Sequence, residues 1–246
     1  MLIASRLPGK RGPVAIPASP LGGLPILVRP GTTDLTNASD YLELSLFLPP
    51  PEAVDGGMSV IVELGSNMGA GLTGLAHRFP DATLVGVEPD PGNAALAARN
   101  VSQFGSRAKV VCSAIWDRKA DLVVQEAKGE HGFIVRERND DDPADIEVIP
   151  ALSIGQVLDA ELGPETIVDY MHVTIEGTEP RAFASGDWAE RVRSLRVEAH
   201  PYYGYPAADC VAQLQNLGFR AWPAPEMPEK WIYAVREPAA SDQSSA

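Results

Sequence analysis

Ser59-Val60-Ile61-Val62-Glu63-Leu64-Gly65-Ser66-Asn67-Met68-Gly69-Ala70-Gly71-Leu72-Thr73-Gly74-Leu75-Ala76-His77-Arg78-Phe79 is the stretch that decides the fold. Its β-branched start, Val60-Ile61-Val62, carries no polar alternation, the pattern of a strand buried on both faces of a parallel sheet. Glu63 sits near the strand's end, and Gly65, Gly69 and Gly71 follow in a turn. Leu72, Leu75, Ala76 and Phe79 then recur at i, i+3, i+4 and i+7, one face of an amphipathic helix. Strand, glycine turn and helix form the first half of a nucleotide-binding α/β unit. In such a unit the turn N–H groups and the helix N-terminus face a ligand above the sheet edge.

Two fingerprints overlap in the turn. Gly69-Ala70-Gly71-Leu72-Thr73-Gly74 matches G-x-G-x-x-G, with Glu88 at the distance of a dinucleotide site's ribose acid. A dinucleotide motif, however, starts where the strand ends. Gly69 comes several residues after Leu64, and Gly74 falls inside the helix. Glu63-Leu64-Gly65-Ser66-Asn67-Met68-Gly69 starts in register instead, and it resembles the first motif of class I S-adenosylmethionine (SAM) methyltransferases. That resemblance implies an acid beside the cofactor's methionine amino group and glycines that admit its backbone. A structural turn without ligand is the remaining reading.

The 246 residues are 45% hydrophobic, enough for one large α/β domain or two small ones. No apolar run approaches membrane-spanning length, and Met1–Gly12 is too quickly basic for a secretory signal. Cys112 and Cys210 are far apart and have no C-x-x-C partner, which argues against zinc and fits a reducing compartment. The net charge of −13 argues against nonspecific nucleic-acid binding, which needs a basic surface. A cytoplasmic protein bound neither to membrane nor to nucleic acid is the expectation.

In chain order, residues 1–25 read as an irregular arm and 24–29 as a short strand. Asp34 is placed to cap a helix over 37–48 that Pro49-Pro50-Pro51 ends. Thr83–Glu88 is the second buried strand, and Asp90-Pro91 starts the helix after it. Lys109–Cys112 is the third strand. The runs 122–124 and 133–135 read as a hairpin around 128–132, 139–143 as an acidic turn, and 145–149 as one more strand. Ser153 and Gln156 form a capping box for a helix ending at Gly163-Pro164. Ile167–Ile175 and Ser194–Ala199 are the fourth and fifth core strands, with a short helix or loop at 181–188 between them. An aromatic loop at 201–206 and a helix capped by Gly218 precede a terminal antiparallel pair, 219–222 and 231–235. The expected organisation is an arm and helix over 1–50, a methyltransferase domain over 51–236 with a hairpin insertion near 118–150, and a disordered tail over 237–246. The fold expected is a doubly wound, mostly parallel, Rossmann-like sheet.

Arg29-Pro30-Gly31-Thr32-Thr33-Asp34, the loop 63–69, Val87-Glu88-Pro89-Asp90-Pro91 and Ile175-Glu176-Gly177-Thr178-Glu179 together resemble the FkbM family of SAM-dependent methyltransferases. The resemblance covers roughly residues 25–235. It implies O-methylation of a small-molecule hydroxyl, on a sugar or on a polyketide or peptide natural product. It also places Glu63, Gly65, Ser66, Asn67, Met68, Gly69, Glu88 and Pro89 on SAM, with Ser113 and Ala114 flanking the adenine. Thr174 stands where the family usually has an aspartate that corresponds to a metal ligand in related enzymes, so no metal is expected.

Methyl transfer to a hydroxyl requires in-line alignment and a group to take the hydroxyl's proton. Candidates cluster at the ends of the fourth and fifth strands: His172, Glu176, Glu179, Glu198 and His200. His200 has the reference pKa nearest neutrality and is the expected base, with Glu176 orienting it or the acceptor. The competing reading of each histidine is a packed residue bonded to a backbone carbonyl. A nicotinamide oxidoreductase and a non-catalytic partner protein of the same fold are the alternatives to an enzyme of this class.

Overall fold

The computed structural model describes residues 12–127 and 133–236. The start of the chain read for a leader (1–11), the hairpin tip (128–132) and the tail (237–246) lie outside the described residues.

The arm is partly regular. Strand β1 (Val14–Pro17) pairs antiparallel with β2 (Pro25–Val28), joined through left-handed Gly22 and Gly23. Helix α1 spans Asp34–Leu44, earlier than the expected 37–48. Ser45 ends it by turning left-handed and donating its N–H to the Tyr41 carbonyl, so Pro49–Pro51 come after the stop rather than causing it. Asp34 does not cap the helix with its side chain. Its buried carboxylate instead accepts the Arg29 N–H and two guanidinium bonds, all at 2.8 Å. The deciding stretch gives β3 (Val60–Leu64) and α2 (Ala70–Arg78), followed by β4 (Thr83–Glu88) and α3 (Pro91–Val101). Asp90 caps α3 through the Asn93 N–H at 2.7 Å, as its Asp-Pro start foretells.

Strand β5 (Ala108–Cys112) ends at Ser113, where the chain leaves the main sheet. Strands β6 (Ala114–Trp116), β7 (Ala120–Ala127), β8 (Phe133–Glu137) and β9 (Ile149–Ser153) form a separate four-stranded sheet in the order β6-β9-β7-β8. The hairpin is β7–β8. The strand expected at 145–149 lies four residues later, because Ile149 and Ala151 are the side chains that pack on Leu122 and Ala114. After it come α4 (Ile154–Leu162), with both capping-box bonds present, and β10 (Tyr170–Val173). The expected fourth strand over 167–175 is regular only at 170–173, although its ladder contacts run on at both ends, Val168 bridging Val192 and the Thr174 N–H donating to the Leu64 carbonyl at 2.9 Å, and the Asp169 carboxylate accepts from the N–H groups of Ser59 and Val60. The single turn α5 (Glu179–Ala182), β11 (Ser194–Glu198), α6 (Ala207–Asn216), β12 (Arg220–Pro223) and β13 (Trp231–Val235) complete the chain.

The main sheet has seven strands in the order β12-β13-β11-β10-β3-β4-β5. The five from β11 to β5 are parallel, and β13 runs against both of its neighbours. Alternation along the strands divides the core. Ile61, Leu84 and Tyr170 face α1, α2 and α3, whereas Val62, Val85, Leu195 and Val197 face α4 and α6. Each fully buried leucine here, such as Leu72 or Leu214, is worth about 2–5 kcal/mol against truncation to alanine. The order reverses between β3 and β10, the switch point at which open α/β sheets form a crevice above the strand ends.

Candidate active site

A cavity of about 460 Å³ occupies that switch point. Its floor is the turn after β3. Gly65 (φ +86°) and Ser66 both donate their N–H groups to the Val87 carbonyl, at 2.9 and 3.0 Å. A Cβ on Gly65 would sit 1.9 Å from the Thr174 carbonyl oxygen, so close contact with the backbone just past β10, as well as φ, requires glycine. Asn67 is also left-handed, and its N–H donates to Glu88 Oε2 at 2.8 Å. Buried Asn100 braces the turn from behind, donating to the Met68 carbonyl at 2.8 Å and bonding Leu27 on β2. Gly69 packs beneath the turn on Ala97 and does not line the cavity, whereas the other residues expected on the cofactor do.

Glu88 closes β4 and also accepts the Asp90 N–H at 3.0 Å. Burial pushes its carboxyl up to about 7, against the lowering effect of the Asp90 and Asn67 N–H groups. The Asn93 side-chain amide donates weakly to Oε1 as well, at 3.5 Å, which leaves the outer side of Oε2 as the acceptor site open to a ligand. The single O–H of Ser113 lies within reach of both the Ala114 and the Pro150 carbonyls, at 3.0 and 3.1 Å, at the corner between the two sheets. Glu63 is buried, with Oε1 3.1 Å from His172 Nδ1 and Oε2 unpartnered among the described residues. The cavity is thus lined by Glu63, whose Oε2 is buried and has no hydrogen-bond partner among the described residues, by Glu88 at the end of β4, and by Ser113 and Ala114 at the corner between the sheets. These fit S-adenosylmethionine: Glu63 for its ammonium, Glu88 for its ribose hydroxyls, Ser113 and Ala114 for its adenine.

The opposite end is lined by Tyr41, Thr174, Glu176, Glu198, Lys230 and Trp231. Glu176 adopts φ +54° before Gly177. Burial raises its carboxyl to about 7, with the nearby charge of His200 opposing and Glu198 and Glu179 adding to the shift. His200 does not line the cavity. It sits behind Glu176, with Nδ1 2.9 Å from Glu179 Oε1 and Nε2 3.7 Å from both Glu176 and Glu198, and stacks on Tyr203. Burial alone would lower its pKa, but the Glu179 contact and the charges of Glu198 and Glu176 raise it to about 9. At neutral pH His200 is an imidazolium, a cation balancing carboxylates, and not a free base. Glu179 holds the loop by accepting the Ile175 N–H at 3.2 Å. His172 is fully buried on Glu63 and away from the cavity.

Several lining residues were not anticipated. Asn37, Asp40 and Tyr41 come from one face of α1, a polar and aromatic i, i+3, i+4 set visible in retrospect. Lys230 pairs with Glu198 at 2.8 Å because β13 lies in register beside β11, and no local pattern signals that. Thr174 Oγ1 donates to the Gly65 carbonyl at 3.1 Å, which ties the chain after β10 to the turn.

No family model matches the chain. It is similar to ribosomal RNA small subunit methyltransferase H of Prochlorococcus marinus (strain MIT 9303), 27% identical over 203 residues that cover 73% of this chain and 61% of that protein. The chain thus spans about three fifths of that relative's length. The protein of the same description from Leifsonia xyli subsp. xyli (strain CTCB07) is 42% identical over 53 residues, 22% of this chain and 16% of that one. Among solved structures, precorrin-6y C5,15-methyltransferase from Geobacter metallireducens GS-15 has a TM-score of 0.47 and 10% identity, covering 80% of this chain and 88% of that one. The Pyrococcus abyssi tRNA (uracil-54, C5)-methyltransferase, in complex with S-adenosyl-L-homocysteine, has a TM-score of 0.47 and 15% identity over 92% of this chain and 44% of that one. Both scores lie below 0.5, and the fold assignment stands on this chain's strand order and turn geometry. That architecture, seven strands of which six run in one direction and the penultimate one in the sheet order, β13, is reversed, with a crevice at the β3/β10 reversal, is the class I SAM-dependent methyltransferase fold.

Proposed function

We propose that the protein is a SAM-dependent O-methyltransferase, FkbM-like in subtype, acting in the cytoplasm on a hydroxyl of a small natural-product acceptor. The observation that carries this reading is the single cavity that joins the Glu63–Glu88–Ser113 groove to a second end bearing Glu176 at a pKa of about 7. When bound, S-adenosylmethionine supplies a methyl group on a sulfonium, already activated for attack by oxygen. Glu63 and Glu88 hold the cofactor, and Glu176 takes up the proton that the acceptor hydroxyl loses. His200 keeps the Glu176 carboxylate ionisable near neutrality, and Trp231 and Tyr41 wall the acceptor from water. Held orientation supplies up to about 7–11 kcal/mol of the barrier reduction and the base roughly 10²–10⁴-fold.

Calorimetric titration with S-adenosylhomocysteine tests the cofactor half. We expect micromolar binding that weakens about tenfold or more in Glu88→Ala, the value of a charge-assisted bond. Affinity should also rise as pH passes through about 7, where Glu88 ionises to accept the ribose hydroxyls. Unchanged affinity in a folded Glu88→Ala variant refutes this placement. Methyl transfer from labelled SAM to a panel of hydroxylated small molecules tests the acceptor half. Small-subunit ribosomal RNA is the second reading, favoured by the description of the curated relatives. The net charge of −13 opposes a polyanionic substrate, and labelling of ribosomal RNA rather than small molecules would select that reading.

A further inference from the structure

A row of polar residues crosses the main sheet on the face toward α1, and neither end of the proposed chemistry uses its middle. Glu63 on β3 is in register with His172 on β10, His172 with Arg196 on β11, and Arg196 with Tyr233 on β13. Glu63, His172 and Arg196 are each at least 98% buried. His172 Nδ1 faces Glu63 Oε1 at 3.1 Å, and since an ionised carboxylate only accepts, the proton between them is assigned to Nδ1 whenever Glu63 is ionised. The imidazole ring is fixed by stacking on Trp231 at 5.7 Å and by the edge of Tyr41 at 5.9 Å. Arg196 lies over Trp231 at 4.7 Å and pairs outward with Glu226 at 2.9 Å. On its other side, Glu63 Oε1 is so close to the first turn of α2 that a Cβ on Gly71 would meet it at 2.1 Å. One carboxylate oxygen is therefore wedged in place, and the other has no partner among the described residues.

A buried carboxylate left with a free rotamer would turn its oxygens toward whatever donors the wall offers, and binding would have to reorient it. We infer that His172 is a positioning residue that clamps Glu63 Oε1 so that Oε2 is presented to the ammonium of the cofactor's amino-acid moiety. The inference rests on the cofactor reading above. It assigns His172 no contact with the reacting atoms, and it predicts a loss confined to ligands that carry the amino-acid moiety.

Two ligands separate the effects: S-adenosylhomocysteine, which has the ammonium, and 5′-methylthioadenosine, which keeps the nucleoside and sulfur but lacks it. Calorimetric titrations would use wild type, His172→Phe, His172→Gln, Glu63→Gln and the double variant Glu63→Gln/His172→Phe. His172→Phe keeps a ring on Trp231 and removes the donor. It should weaken S-adenosylhomocysteine at least tenfold, about 1.4 kcal/mol, and leave methylthioadenosine within twofold. His172→Gln, whose amide can donate, should recover part of the loss. The double variant should bind no more weakly than Glu63→Gln alone, since both substitutions break one unit. Equal losses for the two ligands, no loss at all, or additive losses in the double variant would overturn the inference. Should His172→Phe not fold, Glu63→Gln reads the same bond from its other side, and indifference to it for S-adenosylhomocysteine is equally fatal. Wild type that binds neither ligand would overturn the cofactor reading itself, a result distinct from any of these.

Discussion

Replacing His200 with asparagine distinguishes a base from a counter-charge. His200 Nε2 lies 3.7 Å from Glu176 Oε2, and the imidazolium is among the influences that hold the Glu176 pKa down at about 7. A unit charge at that distance is worth about 1 kcal/mol in water and about 4 kcal/mol at an effective dielectric near 20. The Glu176 side chain is 40% exposed, so the lower part of this range applies. About 1–2 kcal/mol corresponds to roughly one pH unit. A carboxylate is the active base only when ionised, so the wild-type rate should rise with pH through about 7. In His200→Asn the same limb should rise through about 8, with the high-pH plateau largely kept. The assay is single-turnover methyl transfer at saturating cofactor from pH 5.5 to 9.5, with melting temperatures recorded on the same samples. A plateau lowered by 10²–10⁴-fold with no displacement of the limb would show His200 to be the base and refute the assignment to Glu176.

Gly65→Ala should destabilise the fold by several kcal/mol and abolish cofactor binding, because its Cβ meets the Thr174 carbonyl at 1.9 Å and φ is +86°; a variant with wild-type melting temperature and affinity contradicts this. Thr174 spends its hydroxyl on the Gly65 carbonyl, so EDTA should leave methyl transfer largely intact; activity lost on chelation and restored by magnesium overturns that expectation. Ligand-free stability should fall on going from pH 6 to pH 9. The folded pKa of His200, about 9, lies above its ordinary 6.5, so its contribution is complete below 6.5 and gone above 9, an amount of up to about 3 kcal/mol. Glu176, also raised, acts in the same direction between 4.5 and 7. A melting temperature that climbs from pH 6 to 9 refutes both shifts.

The sequence by itself determined what local periodicity and capping can encode. The apolar run of β3, the left-handed glycines after it, the Asp90-Pro91 start of α3 and the Ser153/Gln156 box all form where their residue types demand. The acids at the ends of β3 and β4 follow from the same reasoning, since a strand's last residue is fixed by the turn that ends it. Tertiary structure alone decided the roles at the other end of the cavity. His200 has the side chain of a base, yet three carboxylates brought in from the 176–179 loop and β11 keep it protonated. His172 lies on a strand whose sequence shows no partner, and it meets Glu63 only because β10 settles beside β3, 109 residues away. Tyr41, Lys230 and Trp231 reach the cavity from the two ends of the chain. Short-range pattern reports the conformation of a segment, whereas a pKa depends on every charge and every layer of burial within several ångströms, and only the packed fold specifies those.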